Sequence, residues 1–480
     1  MQKIPFSEAL SHVRMVPPSF TVRRVNLIDA VGHVLAEPIY AGYNVPPAPV
    51  SAMDGFAVSA KETETASETH PLTLTQFDRV NTGEVVRPQF DAVIMVEDTE
   101  FTGEKPSEIT IRSPIKAGRN VRLTAEDIRK GGLVLPAGAK LRSFDIGAVA
   151  GYGITEVAIR SVSVGVIPTG TELIEPGIEP KPGEVVESNT VMTEAYLREF
   201  GVDVIRYPPV ADDPKAIRAA LEKAVSENDL VLLSAGSSMG SHDYTSSVIE
   251  DMGRIIFHGV FMKPAKPSML GSISGKPVIG MPGYPLSAQT TLRMFVRELL
   301  EGWGFKGPQT PKVVVEAGAV IPSDAALDEF QFAAVGSVSG KLVALPQIRS
   351  SSMQMNGIRA NAYLSIPRGA AEIPAGQKVE ATLNVPLEDL ERTLLLGGVC
   401  TEGAEKLTAA AARCGYFVRF GNAGTSELQK GLCHGVISDS ADDGFVSVPL
   451  EDGSYLLMNK PSDPQTILLK AFAEGDLNAA

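Results

Sequence analysis

Cysteine, tryptophan and long apolar runs are all scarce in this 480-residue chain, which has 3 cysteines and 1 tryptophan. Cys400, Cys414 and Cys433 make an odd set without a Cys-x-x-Cys pair, so neither a disulfide framework nor a zinc-site spacing is indicated. No apolar stretch approaches the ~20 residues of a membrane span. The opening MQKIPFSEAL also lacks an apolar core of signal-peptide length. A cytoplasmic protein is the expectation. Positive charge is short as well, with 43 Lys and Arg against 57 Asp and Glu, a net charge of −14. That balance argues against general nucleic-acid binding, which needs a basic footprint. Any site for an anion must therefore be a local positive island made by a few side chains and helix N-termini.

One stretch offers such an island. Residues 257–288 read FHGVFMKPAKPSMLGSISGKPVIGMPGYPLSA, with Lys263 and Lys266 each followed by proline. Proline fixes φ and removes a backbone donor, so the two cations sit on a stiffened loop. A short apolar run and the turn Pro282-Gly283-Tyr284-Pro285 come next, ahead of a helix start. Two cations at fixed spacing beside a strand-to-helix turn suit a phosphate-like ligand. A surface loop with two solvated lysines is the plainer alternative.

The chain is too long for one ordinary domain. Near the N-terminus Ser7 is a candidate N-cap, with Phe6, Leu10 and Val13 at helical spacing, and 26–36 reads as a second short helix. Between 59 and 126, short β-type runs separated by turn residues suggest a β-rich insertion. From 161 the signal becomes alternating strand and helix. Apolar runs at 162–167, 202–205 and 229–233 alternate with a helix after Glu187-Ser188-Asn189-Thr190 and an amphipathic one opened by Asp213-Pro214. That order predicts a parallel sheet with right-handed crossovers. Ligands of such sheets bind beyond the carboxyl ends of the strands, where the loops 168–173, 234–243 and 282–285 all fall. Short strands return at 308–388. Arg349-Ser350-Ser351-Ser352 there reads as a turn, although it could hold an oxyanion. The last stretch suggests another small α/β unit, with Thr425 or Ser426 as a helix N-cap.

KPAKPSMLG and GMPGYPLSA, together with SAMDGFAV (51–58), TGTEL (169–173), ESNT (187–190) and SAGSSMGSHDYTSSVI (234–249), occur in one order. In that order they resemble the molybdopterin molybdenumtransferase family, the MoeA-type enzymes of bacteria and the E-domain of gephyrin. The resemblance runs to about residue 388 and implies a multidomain α/β and β protein. Its parts are an elongated dimerisation arm (1–42 and 127–160), a β-rich insertion (43–126) and a central three-layer α/β molybdopterin-binding domain (161–307). A small β-barrel (308–388) follows, and the rest (389–480) is a small α/β extension similar to part of a periplasmic-binding-protein-like domain. The α/β part is also similar to the related single-domain adenylyltransferase.

The resemblance implies insertion of molybdenum from molybdate into adenylylated molybdopterin, with release of AMP. Lys263 and Lys266 would hold the oxyanion, and Asp54 and Glu187 would act with them. Thr82, Thr169, Gly170, Ser234, Gly236, Ser237, Asp243, Pro282, Gly283 and Pro285 would bind the nucleotide-linked pterin. Asp54, Glu187, Asp127 and Asp243 could serve Mg²⁺, which uses one or two carboxylates directly and the rest through water. A homodimer is implied, with Asp54 serving the lysine site across the two-fold, and with an upstream adenylyltransferase and acceptor molybdoenzymes as exchange partners. The sequence departs from the family at Ala235, Thr171 and Tyr284, where the family often has glycine, aspartate and asparagine, and in the lead-in Ala48-Pro49-Val50. Asp54 also fits a plain turn residue before Gly55. A non-catalytic paralogue that binds molybdopterin or an oxyanion, with the tail as sensor or docking module, is the competing reading.

Overall fold

The computed structural model describes residues 3–235 and 244–475. They fall into two compact units, one of residues 21–161 and one of residues 1–20 with 162–480.

In the smaller unit, the strands Thr21–Asn26 and Glu156–Ser161 pair antiparallel from Thr21↔Ser161 to Asn26↔Glu156. They share a core of Leu27, Leu35, Ile39, Leu141, Val149 and Ile159. The helix expected over 26–36 is instead the end of that strand plus one 3-10 turn, Leu27–Ala30. Val31 is extended and Gly32 adopts φ +82°, so the helical path stops there. The β-rich part holds two three-stranded sheets, one centred on Gly55–Val58 and one on Ile109–Ile111. Phe56 packs edge-on to Phe77 and Phe101 in its core.

The larger unit starts with the helix Phe6–Arg14, whose N-cap is Pro5 rather than Ser7. Its Ala9 and Val13 pack into the core of the α/β sheet, so these first residues belong here and not with the arm. The sheet is six-stranded, in the order Asp203–Arg206, Ser163–Pro168, Leu230–Ala235, Lys276–Pro282, Met269–Ile273, Arg254–His258. The first four strands are parallel, and the last two add an antiparallel edge. The central strands are continuous apolar runs because helices cover both faces. Val164, Val166, Leu230 and Leu232 face a core with Leu197, Phe295 and Trp303. Ile167, Val231, Leu233 and Val278 face the helices Pro214–Glu227 and Tyr244–Met252. Asp213 caps the first of these by accepting the Ala216 N–H at 2.9 Å.

Five strands then close into a barrel: Lys312–Ala317, Asp328–Val338, Lys341–Pro346, Ala362–Ile366 and Lys378–Leu383. Closure comes from pairing of the second strand with the fourth. The two-residue strand Met262–Lys263, which leads into the proline-rich loop, pairs parallel with Asp328 and Glu329 of this barrel. The tail forms a five-stranded sheet in the order Phe417–Phe420, Thr393–Gly398, Gly435–Ser438, Tyr455–Met458, Val446–Pro449. Helices Glu402–Arg413 and Pro464–Ala473 cover one face. The other face joins Val338, Val343 and Leu345 of the barrel in one apolar cluster with Leu395, Leu428 and Leu457. The helix Thr425–Gln429 is capped at Gly424, not at Thr425 or Ser426, with the Glu427 carboxylate accepting the Gly424 N–H.

Because that cluster is shared, truncation after residue 388 should expose an apolar barrel face and cause aggregation or a lowered melting temperature, read by light scattering and thermal denaturation. Leu395→Ala, at a fully buried position, should cost about 2–5 kcal/mol in the full chain. A soluble truncation with unchanged melting would show that the tail is an independent appendage.

Candidate functional site

The carboxyl ends of the parallel strands open into a cleft of about 960 Å³. Thr169 and Ser234 stand at the ends of adjacent strands, with the Thr169 N–H donating to the Ser234 carbonyl at 2.8 Å. Pro282, Gly283 and Pro285 form the next turn, and Lys263 and Lys266 rise on the loop beside it. Glu187 lines the same cleft. Gly170 follows Thr169, and its N–H donates to the Val210 carbonyl at 3.0 Å. A Cβ at Gly170 would stand 2.9 Å from the Glu172 carboxylate, so a side chain there would crowd the strand end.

The lysine loop is held from several directions. The Lys266 carbonyl accepts the Val260 N–H at 2.8 Å. The buried Ser268 hydroxyl donates to the Ala265 carbonyl at 2.8 Å and lies 2.8 Å from the Thr291 hydroxyl. Ala265 adopts φ +72°, a conformation costly for a residue with a Cβ, and neighbouring contacts must hold it. Lys3 comes alongside through the pairing of Ile4 with Val260. Partial burial, and then the neighbouring Lys266 ammonium, hold the Lys3 ammonium below its ordinary value. Like charges crowded in this way favour an anion.

The opposite wall comes from the barrel. Arg349 donates to the Glu329 carboxylate, at 2.6 Å to Oε1 and also to Oε2, and its other Nη donates to the Pro322 carbonyl at 2.8 Å. It therefore lines the cleft together with Ser350, Ser351 and Ser352 as part of a built wall, where the sequence suggested a turn. Asn189 donates to the Gly283 carbonyl at 2.7 Å, and its buried Oδ1 has no partner among the described residues. Sequence reasoning missed Asn189 as a cleft residue and Lys3 as a neighbour of the lysine loop. Asn189 lay within the quoted ESNT motif, whereas nothing in the sequence pointed to Lys3.

The expected carboxylates meet different fates. Glu187 is buried, and its carboxylate accepts both the N–H and the hydroxyl of Thr190, so it caps the helix Asn189–Arg198 from one residue before the Ser188 N-cap. Asp54 and Thr82, in the smaller unit, are brought together. Asp54 Oδ1 accepts the Thr82 N–H at 2.6 Å and its hydroxyl at 3.0 Å. These bonds hold the Asp54 carboxyl below the usual carboxylate value. Asp127 accepts the Tyr152 hydroxyl at 3.1 Å. Gly236, Ser237 and Asp243 lie outside the described residues. Among the described residues, no three His, Cys, Asp or Glu side chains are grouped to hold a metal ion.

A doubly covered α/β sheet with a lysine-bearing loop and small-residue turns at its carboxyl edge defines a binding protein for an anionic, phosphate-linked ligand. Family models fit three successive segments. These are the MoeA N-terminal region (domain I and II) over residues 4–153, the "Probable molybdopterin binding domain" over 165–302, and the MoeA C-terminal region (domain IV) over 314–383. The chain is 32% identical to the molybdopterin molybdenumtransferase of Haemophilus influenzae over 291 residues, 58% of this chain and 71% of that one. It is 31% identical to the enzyme of the same name from Staphylococcus epidermidis over 293 residues, 57% of this chain and 69% of that one. The crystal structure of the molybdopterin biosynthesis MoeA protein of Pyrococcus horikoshii superposes with a TM-score of 0.69 at 31% identity, covering 80% of this chain and all (100%) of that one. The chain belongs to the MoeA-type molybdopterin molybdenumtransferase family.

The Ser268 bonds give a way to loosen the loop without removing charge. Ser268→Ala should cost about 1–3 kcal/mol in thermal denaturation and weaken molybdate binding measured by calorimetry. Unchanged affinity in a destabilised variant would mean that loop geometry does not set oxyanion binding.

Proposed function

We propose that this chain inserts molybdenum from molybdate into adenylylated molybdopterin. The two dithiolene sulfurs bind molybdenum as two molybdate oxygens leave as water, and a water molecule cleaves the phosphoanhydride so that AMP leaves. The observation that carries this reading is the meeting of Lys263, Lys266, Thr169, Ser234 and the 282–285 turn in one cleft. The lysines supply fixed positive charge for a tetrahedral oxyanion, and the small residues of the 282–285 turn let its backbone approach a pyrophosphate. Glu187 contributes by fixing the first turn of the helix that carries Asn189. Asp54, with its depressed pKa, stays ionised and oriented by Thr82 for a role in the reaction. Mg²⁺ would offset phosphate charge. With no three-ligand group among the described residues, it would arrive on the substrate phosphates and not in a protein cage.

The arm supports a homodimer. Phe144 is 91% exposed and Ile28 71% exposed in the smaller unit, and such apolar side chains suit a partner surface. A second copy of the chain is the occupant we assign. Phe144→Asp with Ile28→Asp should shift the protein to monomer in sedimentation, and an unchanged species would remove the arm from the interface. None of the three cysteines forms a disulfide among the described residues, which fits a cytoplasmic setting. The exposed Tyr284 at the cleft turn favours a second reading, a paralogue that binds molybdopterin without turnover.

Purified protein incubated with adenylylated molybdopterin, Mg²⁺ and molybdate should release AMP only when molybdate is present. Lys263→Ala and Asp54→Asn should each lower that rate by roughly 10²–10³ while the protein stays folded. Full activity in both variants would overturn the assignment, and tight binding of substrate without AMP release would transfer it to the non-catalytic reading.

A further inference from the structure

A second cavity, of about 280 Å³, lies where the tail meets the barrel. The tail strands Thr393–Gly398, Phe417–Phe420 and Gly435–Ser438 run parallel, and the loops after the first two supply Val399, Gly421, Asn422 and Ala423 to this cavity. Ligands of parallel sheets favour this carboxyl edge. The barrel side contributes Gln347, Ile348 and the face of the helix Gln354–Arg359 that bears Asn356 and Arg359.

The polar chemistry of this wall has one sign. Among the described residues, no carboxylate lines the cavity, and Arg359 is its one ionisable lining group. The Arg359 guanidinium lies 5.9 Å from the Phe420 ring centroid and reaches the Cys400 thiol, and among the described residues it forms no ion pair with a carboxylate. The other amides are largely spent. Gln347 Nε2 donates to the Phe420 carbonyl at 2.6 Å, and Asn356 Nδ2 donates to the Ile348 carbonyl at 2.8 Å. Arg359 and Asn422 remain as donors. The nearby start of the helix Glu402–Arg413 is already occupied, since Asp452 accepts the Gly403 N–H at 2.7 Å. Val399, Ala423 and Ile348 make the rest of the wall apolar and leave more room than a bare tetrahedral ion fills.

We propose that this cavity is a second binding site, separate from the main cleft, for a small anion whose oxygens pair with Arg359, with a short-chain organic carboxylate as the favoured class. The guanidinium offers its planar fork to two oxygens, and the apolar wall takes a hydrocarbon end. Ile348 lines both cavities, and the helix Gln354–Arg359 places Gln354 on the main cleft and Arg359 on this one. A ligand held here thus touches the element that forms the cleft wall.

Cys400 gives a local readout. The full-chain protein is alkylated with iodoacetamide in mildly alkaline buffer, with butyrate or inorganic phosphate as probe, and the modified peptides are quantified by mass spectrometry. Occupancy should slow Cys400 modification roughly tenfold at ten times the Kd, with Cys414 unchanged as internal reference. Protection should survive Lys263→Ala, which acts on the main cleft, and be lost in Arg359→Gln. Val399→Trp, which fills the cavity and keeps the guanidinium, should also abolish it. Protection by butyrate identifies the organic anion, and protection by phosphate alone assigns an inorganic oxyanion to the same guanidinium. Equal Cys400 rates with and without either probe, or protection that persists in Arg359→Gln, would overturn the proposal.

Discussion

Glu329 is a carboxylate buried on a barrel strand, with only 2% of its side chain exposed. A buried charge is tolerated only when paired and hydrogen-bonded. Arg349 supplies the pairing, and the Asp324 N–H donates to Glu329 Oε1 at 2.9 Å. Satisfying this one group draws the Arg349–Ser352 segment against the barrel mouth, where it becomes a wall of the cleft. The backbone of Glu329 also pairs with Lys263, so the same residue fixes the cationic loop. The barrel therefore sets two sides of a site whose third side is the α/β sheet.

An acidic protein with a net charge of −14 can hold an oxyanion only where the fold concentrates cations against its overall field. It does so by crowding Lys3 and Lys266 and by fixing Lys263 on a strand. Bringing like charges together is unfavourable without a counter-charge. The strained Ala265, the Ser268 bonds and the strand pairing supply the rigidity that holds the arrangement in place. Under the proposed function, stiffness of the loop and affinity for an anion are thus two consequences of one set of contacts.

The local patterns carried much of the architecture. The contiguous apolar strands, Asp213-Pro214 as a helix start, and the clustering of Thr169, Ser234 and 282–285 at one sheet edge all follow from periodicity and turn chemistry. Long-range pairings were not legible. Arg349 looked like part of a serine-rich turn because Glu329, its partner, is 20 residues away and reads as an ordinary strand residue. Lys3 gained meaning only once Ile4 paired with Val260. Glu187 read as a ligand carboxylate, and its second task, accepting the free N–H groups of a helix terminus, was not legible. The helix expected at 26–36 failed because strand pairing of 21–26 with 156–161 and the positive φ of Gly32 outweighed a weak helical pattern.

The family match over the barrel ends at residue 383, yet the structure does not treat the remaining residues as an added module. A Cβ at Gly421 would fall 2.3 Å from Leu345 Cβ, and one at Gly336 would fall 2.7 Å from the Thr393 carbonyl. The tail backbone therefore lies directly on the barrel, too close for side chains to intervene at these points. Leu395 and Leu457 fill the cluster that Val338 and Leu345 begin, so barrel and tail share one core. Shared cores couple their two sides, because interiors are close-packed and do not deform continuously. A substitution in this shared core therefore bears on the barrel strands that lead to the Arg349 segment and the helix Gln354–Arg359. The tail does not line the cleft itself; it backs the barrel that does.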